Sequence, residues 1–166
     1  MSEPRLSHLD AEATARMVDV SAKEETERVA VAEGRVRCDP ETVRLVEAGL
    51  AVKGDVLGVA RVAGVLAAKR TAELIPLCHP LPLTHVDVDL ATDTGLPGVR
   101  IRATVRTVGR TGVEMEALTA VAVAGLTVVD MIKSTDRWAI LEGVGMVAKH
   151  GGKSGSVERP SERALS

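Results

Sequence analysis

Aromatic side chains are almost absent from this chain. Its 166 residues include one tryptophan, no phenylalanine and no tyrosine. A hydrophobic core must therefore be built from Val, Leu, Ile, Ala and Met, which each bury less area than an aromatic ring. Assembly into oligomers is one way to bury more apolar surface when the side chains are small.

Other scarcities exclude whole classes of function. The two cysteines, Cys38 and Cys78, form no CxxC pair, which is typical of reduced thiols in a cytoplasmic protein. A net charge of -2 and a pI near 6.1 argue against a broad surface for nucleic acid or anionic membrane. The chain has no run of about 18 apolar residues, and its N-terminus lacks the apolar region of a signal peptide. We therefore predict a cytoplasmic protein that binds neither nucleic acid nor membrane.

The length fits one domain with a single core. Residues 1–20 are polar and mixed, and the end of the chain is rich in Gly, Ser and charge. We predict a flexible N-terminal segment over 1–20, one folded domain over 21–155 and a flexible tail over 156–166.

Strand and helix patterns alternate inside this domain. Residues 26–37 predict a first strand, because their valines recur at every second position. A helix is predicted from Asp39 and Pro40 to a stop at Gly49. A second helix follows Asp55 and carries an apolar stripe at the spacing of a core-facing side. The stripe consists of Val59, Val62, Ala63 and Leu66.

The second half of the chain predicts a hairpin, a helix and a strand. "HVDVDL" and "VRIRATVR" alternate apolar side chains with acids or arginines, which indicates antiparallel strands with a solvated, charged outer face. A long helix over 116–134 and a strand over 138–149 follow. The resulting βαββαβ order predicts an α+β, ferredoxin-like sandwich, with helices on one face of an antiparallel sheet.

A proline-rich stretch, "ELIPLCHPLPLTH" over 73–85, interrupts this pattern. Proline lacks a backbone donor, so the stretch is neither helix nor central strand. Cys78 and His79 are adjacent, a poor spacing for zinc, and nothing marks a base for a catalytic thiol. The stretch is either a stiff structural loop with Cys78 packed inward or a rigid support for His79, whose ring can donate or accept near neutral pH.

Acidic residues mark two further places. Glu114 and Glu116 would point about 160° apart on a helix but share a face on extended backbone. They are either acids at a helix N-terminus or a carboxylate pair for acid/base work or ligand binding. Asp130 precedes Lys133 by three residues within apolar sequence. This pair is either an exposed ion pair or, if Asp130 is partly buried, a pair with catalytically tuned pKa values.

The lysines indicate an anionic ligand. "KHGGKSG" is not a P-loop, because Val147 stands where the first glycine is required and no helix follows. Its backbone N–H groups could still surround an anion, and Lys53 precedes a helix N-terminus, which favours phosphate. Together the lysines suggest a polyanionic small molecule, the set being Lys53, Lys69, Lys133, Lys149 and Lys153.

Five stretches of the chain resemble the MoaC family of cyclic pyranopterin monophosphate synthases in molybdenum cofactor (molybdopterin) biosynthesis. They are "RMVDVSAK", "AVAEGRV", "KGDVLGVARVAGVLAAKRTAELIPLCHPLPLTHV", "VRTVGRTGVEMEALTAVAVAGLTVVDMIKS" and "KHGGKSG". The resemblance implies a cytoplasmic lyase with a ferredoxin-like fold, assembled as a homohexamer (a trimer of dimers) with active sites at subunit interfaces. The implied reaction converts 3',8-cyclo-7,8-dihydroguanosine 5'-triphosphate to the cyclic pyranopterin monophosphate and releases pyrophosphate.

The resemblance also implies roles for residues. Asp130 takes the family's active-site aspartate position, and Lys53 and Lys133 match residues implicated in the chemistry. Asp130 and Lys133 would transfer protons, and Lys53 would neutralise phosphate or leaving-group charge. Substrate-binding positions fall on Leu77, Cys78, His79, Met115 and Glu116. Secondary candidates for ligand contact are Arg28, Lys69, Glu114, Lys149 and Lys153.

We predict no cofactor and no metal ligands. The rival hypothesis is a non-catalytic ferredoxin-like module that binds a small anion and regulates a partner. That hypothesis accounts for the fold and the lysines, but it leaves Asp130 and the stiff His79 loop without a purpose.

Overall fold

An antiparallel sheet with two long helices on one face forms the body of the molecule. The structure is a computed structural model and describes residues 15–160. The elements in chain order are β1 (Thr26–Arg37), α1 (Pro40–Glu47), α2 (Val56–Lys69), α3 (Thr71–Leu74), β2 (Leu83–Asp93), β3 (Gly98–Gly109), α4 (Glu114–Ile132), β4 (Ile140–His150) and β5 (Val157–Glu158).

The order of the strands across the sheet is β2-β3-β1-β4-β5, and all neighbours are antiparallel. The predicted βαββαβ order and the ferredoxin-like α+β class are confirmed, with the short strand β5 added beside β4. Asp39 and Pro40 do open α1, and the Asp55 carboxylate caps α2 by accepting from the Gly58 backbone N–H at 2.8 Å.

The core lies between the sheet and the helices, and small residues allow the layers to approach closely. Ala32 and Ala103 are paired across β1 and β3 with no exposed surface. On α2, a Cβ added at Gly64 would lie 3.0 Å from the Ala120 carbonyl oxygen and 3.3 Å from the Ala124 Cβ of α4. A core without aromatic rings is therefore filled by bringing backbones together.

The expectation that the α2 stripe faces the core is wrong. Val59, Val62 and Leu66 are 47%, 59% and 50% exposed. The helix instead buries the side that carries Ala60 and Gly64, because small residues fit against α4. Both sides of α2 are apolar, so periodicity could not tell the core side from the other. We call the exposed side, formed by Val59, Val62, Ala63 and Leu66, the apolar stripe.

The opposite face of the sheet is charged, as the alternation in β2 and β3 predicts. Arg100 lies 3.1 Å from Asp93, and Arg102 lies 3.5 Å from Glu33. A depression of about 560 Å³ on this face has walls that include these ion pairs. Its cations are already neutralised, so it offers little to an anionic ligand.

Parts of the predicted flexible ends, residues 1–14 and 161–166, lie outside the described residues, and the flexibility of the ends stays a prediction. Within residues 15–160, α4 alone is long and apolar enough to cross a membrane. More than half of that stretch is buried inside the fold, which is the environment of a core helix.

Neighbouring positions on β3 test this account of the core. Ile101 is 1% exposed against the helices, and Arg102 points to the charged face. Ile101→Ala should lower the free energy of unfolding by about 2–5 kcal/mol, because a cavity replaces core contacts. Arg102→Ala should cost less than about 1 kcal/mol. Denaturant unfolding at one protein concentration measures both, and equal losses would contradict the assignment of faces.

Candidate active site

A cavity of about 310 Å³ lies where the proline-rich loop meets the start of α4. We call it the loop cavity. Two segments far apart in sequence bring six predicted residues into its wall, namely Leu77, Cys78, His79, Glu114, Met115 and Glu116. The Thr107 hydroxyl of β3 donates to the Pro82 carbonyl at 2.7 Å, and the Cys78 N–H donates to the Ile75 carbonyl at 3.0 Å. The first bond holds the loop against the sheet, and the second closes a turn within the loop.

The acids of this cavity lie on a helix and not on extended backbone, so the extended interpretation is wrong. Helix α4 begins at Glu114, and both Glu114 and Glu116 lie in its first turn. Both glutamates nevertheless line the loop cavity, because the cavity wall surrounds the N-terminus of α4. Lys149 of β4 donates to the Glu114 carboxylate at 3.1 Å, so Glu114 has a cationic partner.

Glu116 differs from Glu114 in its surroundings. It is 4% exposed. Burial raises the pKa of its carboxyl from 4.5 to about 7, the carboxylate of Glu114 adds to the rise, and a hydrogen bond from the backbone N–H of Glu116 itself opposes it. The group therefore changes its charge within the physiological range.

The cysteines are free thiols without signs of activation. Cys78 lines the loop cavity half-buried, and burial raises the pKa of its thiol, with a further contribution from the charge of Glu116. Burial raises the pKa of Cys38 to about 11. Thiolates are the reactive form of cysteine, so neither residue is prepared for nucleophilic attack.

A second cluster lies at the other end of α4. One oxygen of the Asp130 carboxylate is 2.6 Å from the Lys53 ammonium, and the other is 2.6 Å from the Lys133 ammonium. We call these residues the lysine–aspartate triad. Hydrogen bonds from Lys133 and then Lys53 lower the pKa of Asp130 to about 2. The triad thus carries a net positive charge, which suits an anionic ligand.

Of the two alternatives for Asp130, the structure shows the exposed ion pair. Its side chain is 54% exposed. Val128 and Met131 turn into the core, whereas Asp130 lies on the solvent side of the last turn of α4. The lysines, which lower the pKa of Asp130, therefore outweigh burial, which raises it.

The remaining predicted cations are not among the residues that line the loop cavity. Arg28 donates to the carbonyls of Gly109 and Arg110, beside the loop cavity, at 3.3 and 3.5 Å. Its guanidinium lies against Gly152, whose positive φ of 72° and lack of a Cβ permit this contact. Lys153 is exposed next in the chain. Lys69 ends α2 and does not line the loop cavity.

The two clusters lie at opposite ends of α4. Glu116 and Asp130 are 14 residues apart on one continuous helix, which places them about 21 Å apart along its axis at 1.5 Å per residue. Reacting groups must lie about 3–3.5 Å from each other. We call the loop cavity and the triad the two half-sites of one chain, since they cannot meet at the same reacting atoms.

Six residues of the loop cavity wall escaped the sequence analysis, and three of them belong to one segment before β1. Val18, Val20 and Lys23 form one side of its wall, and Arg110 holds their segment by donating to the Ser21 carbonyl at 2.8 Å. Nothing in a mixed polar stretch signals such a long-range contact. The available signal was the family-like string "RMVDVSAK", and no site residue was predicted from it.

The fold is a ferredoxin-like sandwich that gathers carboxylates, a histidine and paired lysines around one helix, which are residue types that enzymes acting on small molecules use. Residues 17–152 match the MoaC family, and the chain belongs to that family.

Its relatives share most of their length with it. The cyclic pyranopterin monophosphate synthase of Dinoroseobacter shibae is 60% identical over 153 residues, which cover 92% of this chain and 97% of that protein. The protein of the same name from Thermomicrobium roseum is 60% identical over 159 residues, 96% of each chain. The one from Cereibacter sphaeroides is 58% identical over 92% of this chain and 96% of its own.

The raised pKa of Glu116 predicts a specific dependence of stability on pH. The folded chain keeps this proton up to about pH 7, whereas the unfolded chain releases it near 4.5, so stability falls as pH rises between these values. Between pH 5 and 8 the free energy of unfolding should fall by roughly 2–3 kcal/mol relative to Glu116→Gln. Denaturant titrations of both proteins measure the difference, and a constant difference would refute the shift.

Proposed function

We propose that this protein converts 3',8-cyclo-7,8-dihydroguanosine 5'-triphosphate to cyclic pyranopterin monophosphate with release of pyrophosphate. The loop cavity is the observation that carries the proposal. Five positions to which the family resemblance assigned substrate binding, in segments 77–79 and 115–116, line a single cavity. Relatives at about 60% identity bear the name of this synthase.

The loop cavity suits the ring system of such a substrate. Carboxyl groups and backbone atoms at the start of α4 can pair with the donors and acceptors of a purine-derived ring. His79, held on a loop fixed by Pro80 and Pro82, is placed to carry a proton during ring opening and closure. Arg28, Lys149 and Lys153 lie on the same side of the molecule and supply positive charge for phosphate.

The lysine–aspartate triad suits the triphosphate. Formation of a cyclic monophosphate requires a substrate hydroxyl to attack the α-phosphorus while the bond to pyrophosphate breaks. Charge grows on the leaving pyrophosphate, and Lys53 and Lys133 are positioned to neutralise it. With a pKa of about 2, Asp130 stays ionised at neutral pH. It therefore orients both ammonium groups and accepts a proton only when the substrate displaces a lysine from it.

A complete site requires two chains. Since the half-sites of one chain lie about 21 Å apart along α4, we propose that the triad of one subunit faces the loop cavity of another. Each complete site would then take the triad from one subunit and the loop cavity from the other.

The apolar stripe of α2 supports assembly. It forms an open apolar depression with walls from Val59, Val62, Ala63 and Leu66, and large exposed apolar patches mark interaction surfaces. A symmetric pair of such helices would bury both stripes at once. We propose a homohexamer built as a trimer of dimers, located in the cytoplasm, where the free Cys38 and Cys78 would stay reduced.

The function is tested by pyrophosphate release from the cyclised dihydro-GTP substrate. Wild-type protein should release it, and Asp130→Asn should lower kcat/KM at least about 100-fold because the lysines lose their anchor. Asp130 is exposed, so this variant should fold. Glu41→Gln, which neutralises an exposed, ion-paired carboxylate on α1, is the matched control and should keep wild-type activity.

The other outcomes are equally informative. Binding without release by the wild type would favour the regulatory module. Release by Asp130→Asn at the wild-type rate would move the chemistry to Lys53 and Lys133.

Mixing two inactive variants tests the composite site. Asp130→Asn lacks a working triad, and His79→Ala lacks a working loop cavity. Mixed in equal amounts and reassembled, they should recover about a quarter of wild-type activity, because half of the triads and half of the cavities are intact and pair at random. Each variant alone should stay inactive. A mixture as inactive as its components would show that both half-sites come from one chain.

A further inference from the structure

Two carboxyl groups are buried among the described residues, and they differ in the hydrogen bonds that would stabilise a negative charge. Asp136 is 6% exposed and accepts hydrogen bonds from two backbone N–H groups, those of Asp39 at 2.8 Å and Trp138 at 3.0 Å. Such donors stabilise a buried anion. Glu116 is 4% exposed and receives a hydrogen bond only from its own backbone N–H within the part of the chain described. It has no equivalent support for a negative charge.

The charged groups around Glu116 do not supply that support. On its own helix the nearby charged group is Glu114, which has the same sign of charge. The ammonium of Lys149 is already paired with the Glu114 carboxylate at 3.1 Å. The loop opposite contributes Cys78 and His79. The segment before β1 contributes the exposed Lys23 to the cavity wall, with Asp19 close enough to His79 for its charge to be felt. None of these cations forms an ion pair with Glu116 in residues 15–160.

We propose that Glu116 meets the substrate as a neutral carboxylic acid and donates a hydrogen bond to an acceptor atom of its ring system, while Glu114 meets it as an anion. A protonated carboxyl is a donor, whereas an ionised one only accepts. An unpaired anion at such a buried position is costly, so the neutral form is the one that the cavity favours.

The two glutamates then recognise different hydrogen-bonding groups of one ring. A guanine-derived ring carries N–H donors and a carbonyl or ring-nitrogen acceptor. Glu114 suits the donors and Glu116 the acceptor, so an amino group in place of the carbonyl would set a donor against the Glu116 hydroxyl. This step rests on the proposed function, because it assumes that the guanine-derived substrate occupies the loop cavity.

The protonation state is tested without substrate. Infrared difference spectra between pH 6 and 8 should show a protonated carboxyl C=O band in the wild type that fades as pH rises. The band should be missing in Glu116→Gln and retained in Glu114→Gln. A wild-type spectrum without the band at pH 6 would overturn the proposal.

The hydrogen bond is tested by the dependence of KM on pH with the cyclised dihydro-GTP substrate. Wild-type KM should be constant at low pH and rise by about tenfold per pH unit once Glu116 ionises. Glu116→Gln, whose amide also donates, should keep KM within about fivefold of the low-pH value and lose this rise. Other titrating groups, including His79, are present in both proteins. Their effects on the pH dependence of KM are therefore the same in both, and the difference between the two profiles reports on Glu116.

The opposite pattern would refute the donor role. A wild-type KM that falls as pH rises, together with a KM raised more than about 100-fold in Glu116→Gln, would show that Glu116 acts as an anion. Absence of turnover with the infrared band present would refute the proposed function and leave the neutral acid standing.

Discussion

The close packing of α4 against the sheet and α2 is the constraint on which the rest of this structure depends. Gly64 allows α2 to approach the Ala120 carbonyl of α4, where a Cβ would lie at 3.0 Å. The helix in turn lies over the central strands, whose alanines leave room for it. Because α4 is held this tightly, its two ends are fixed points, and every predicted acidic site residue lies at one end or the other. A core of small side chains therefore does more than compensate for missing aromatic rings, since it also positions the site.

Those two ends shift carboxyl pKa values in opposite directions. At the N-terminal end burial dominates and raises the pKa of Glu116 to about 7, despite a helix dipole that favours an anion. At the C-terminal end the hydrogen bonds of Lys133 and Lys53 dominate, and the pKa of Asp130 falls to about 2. One helix thus supplies a group that can be neutral at physiological pH and another that stays ionised. Titratable groups whose environments push their pKa values apart are typical of sites that carry out both acid and base chemistry.

Under the proposed function, the same helix links assembly to the chemistry. A rigid rod of 19 residues separates the triad from the loop cavity, and in the proposed composite site a second chain brings its triad to this cavity. The apolar stripe of α2 gives such a chain a surface to bind. Catalysis and oligomerisation would then have one structural origin, and a mutation at the stripe would affect activity without touching either half-site.

The sequence by itself determined the elements and their order, because period-two valines, the Asp39–Pro40 helix start and the proline loop are local signals that need no partner. It also determined the residue types of the site, including the adjacency of Cys78 and His79 and the spacing of Asp130 and Lys133. Which side of α2 faces the core was decided only by the tertiary structure, since both sides are apolar and the fit against α4 selects the smaller one. The exposure of Asp130, the burial of Glu116 and the place of Val18 and Lys23 in the cavity wall were likewise decided there. Burial and long-range contact depend on neighbours that lie far away in sequence, and no local pattern records them.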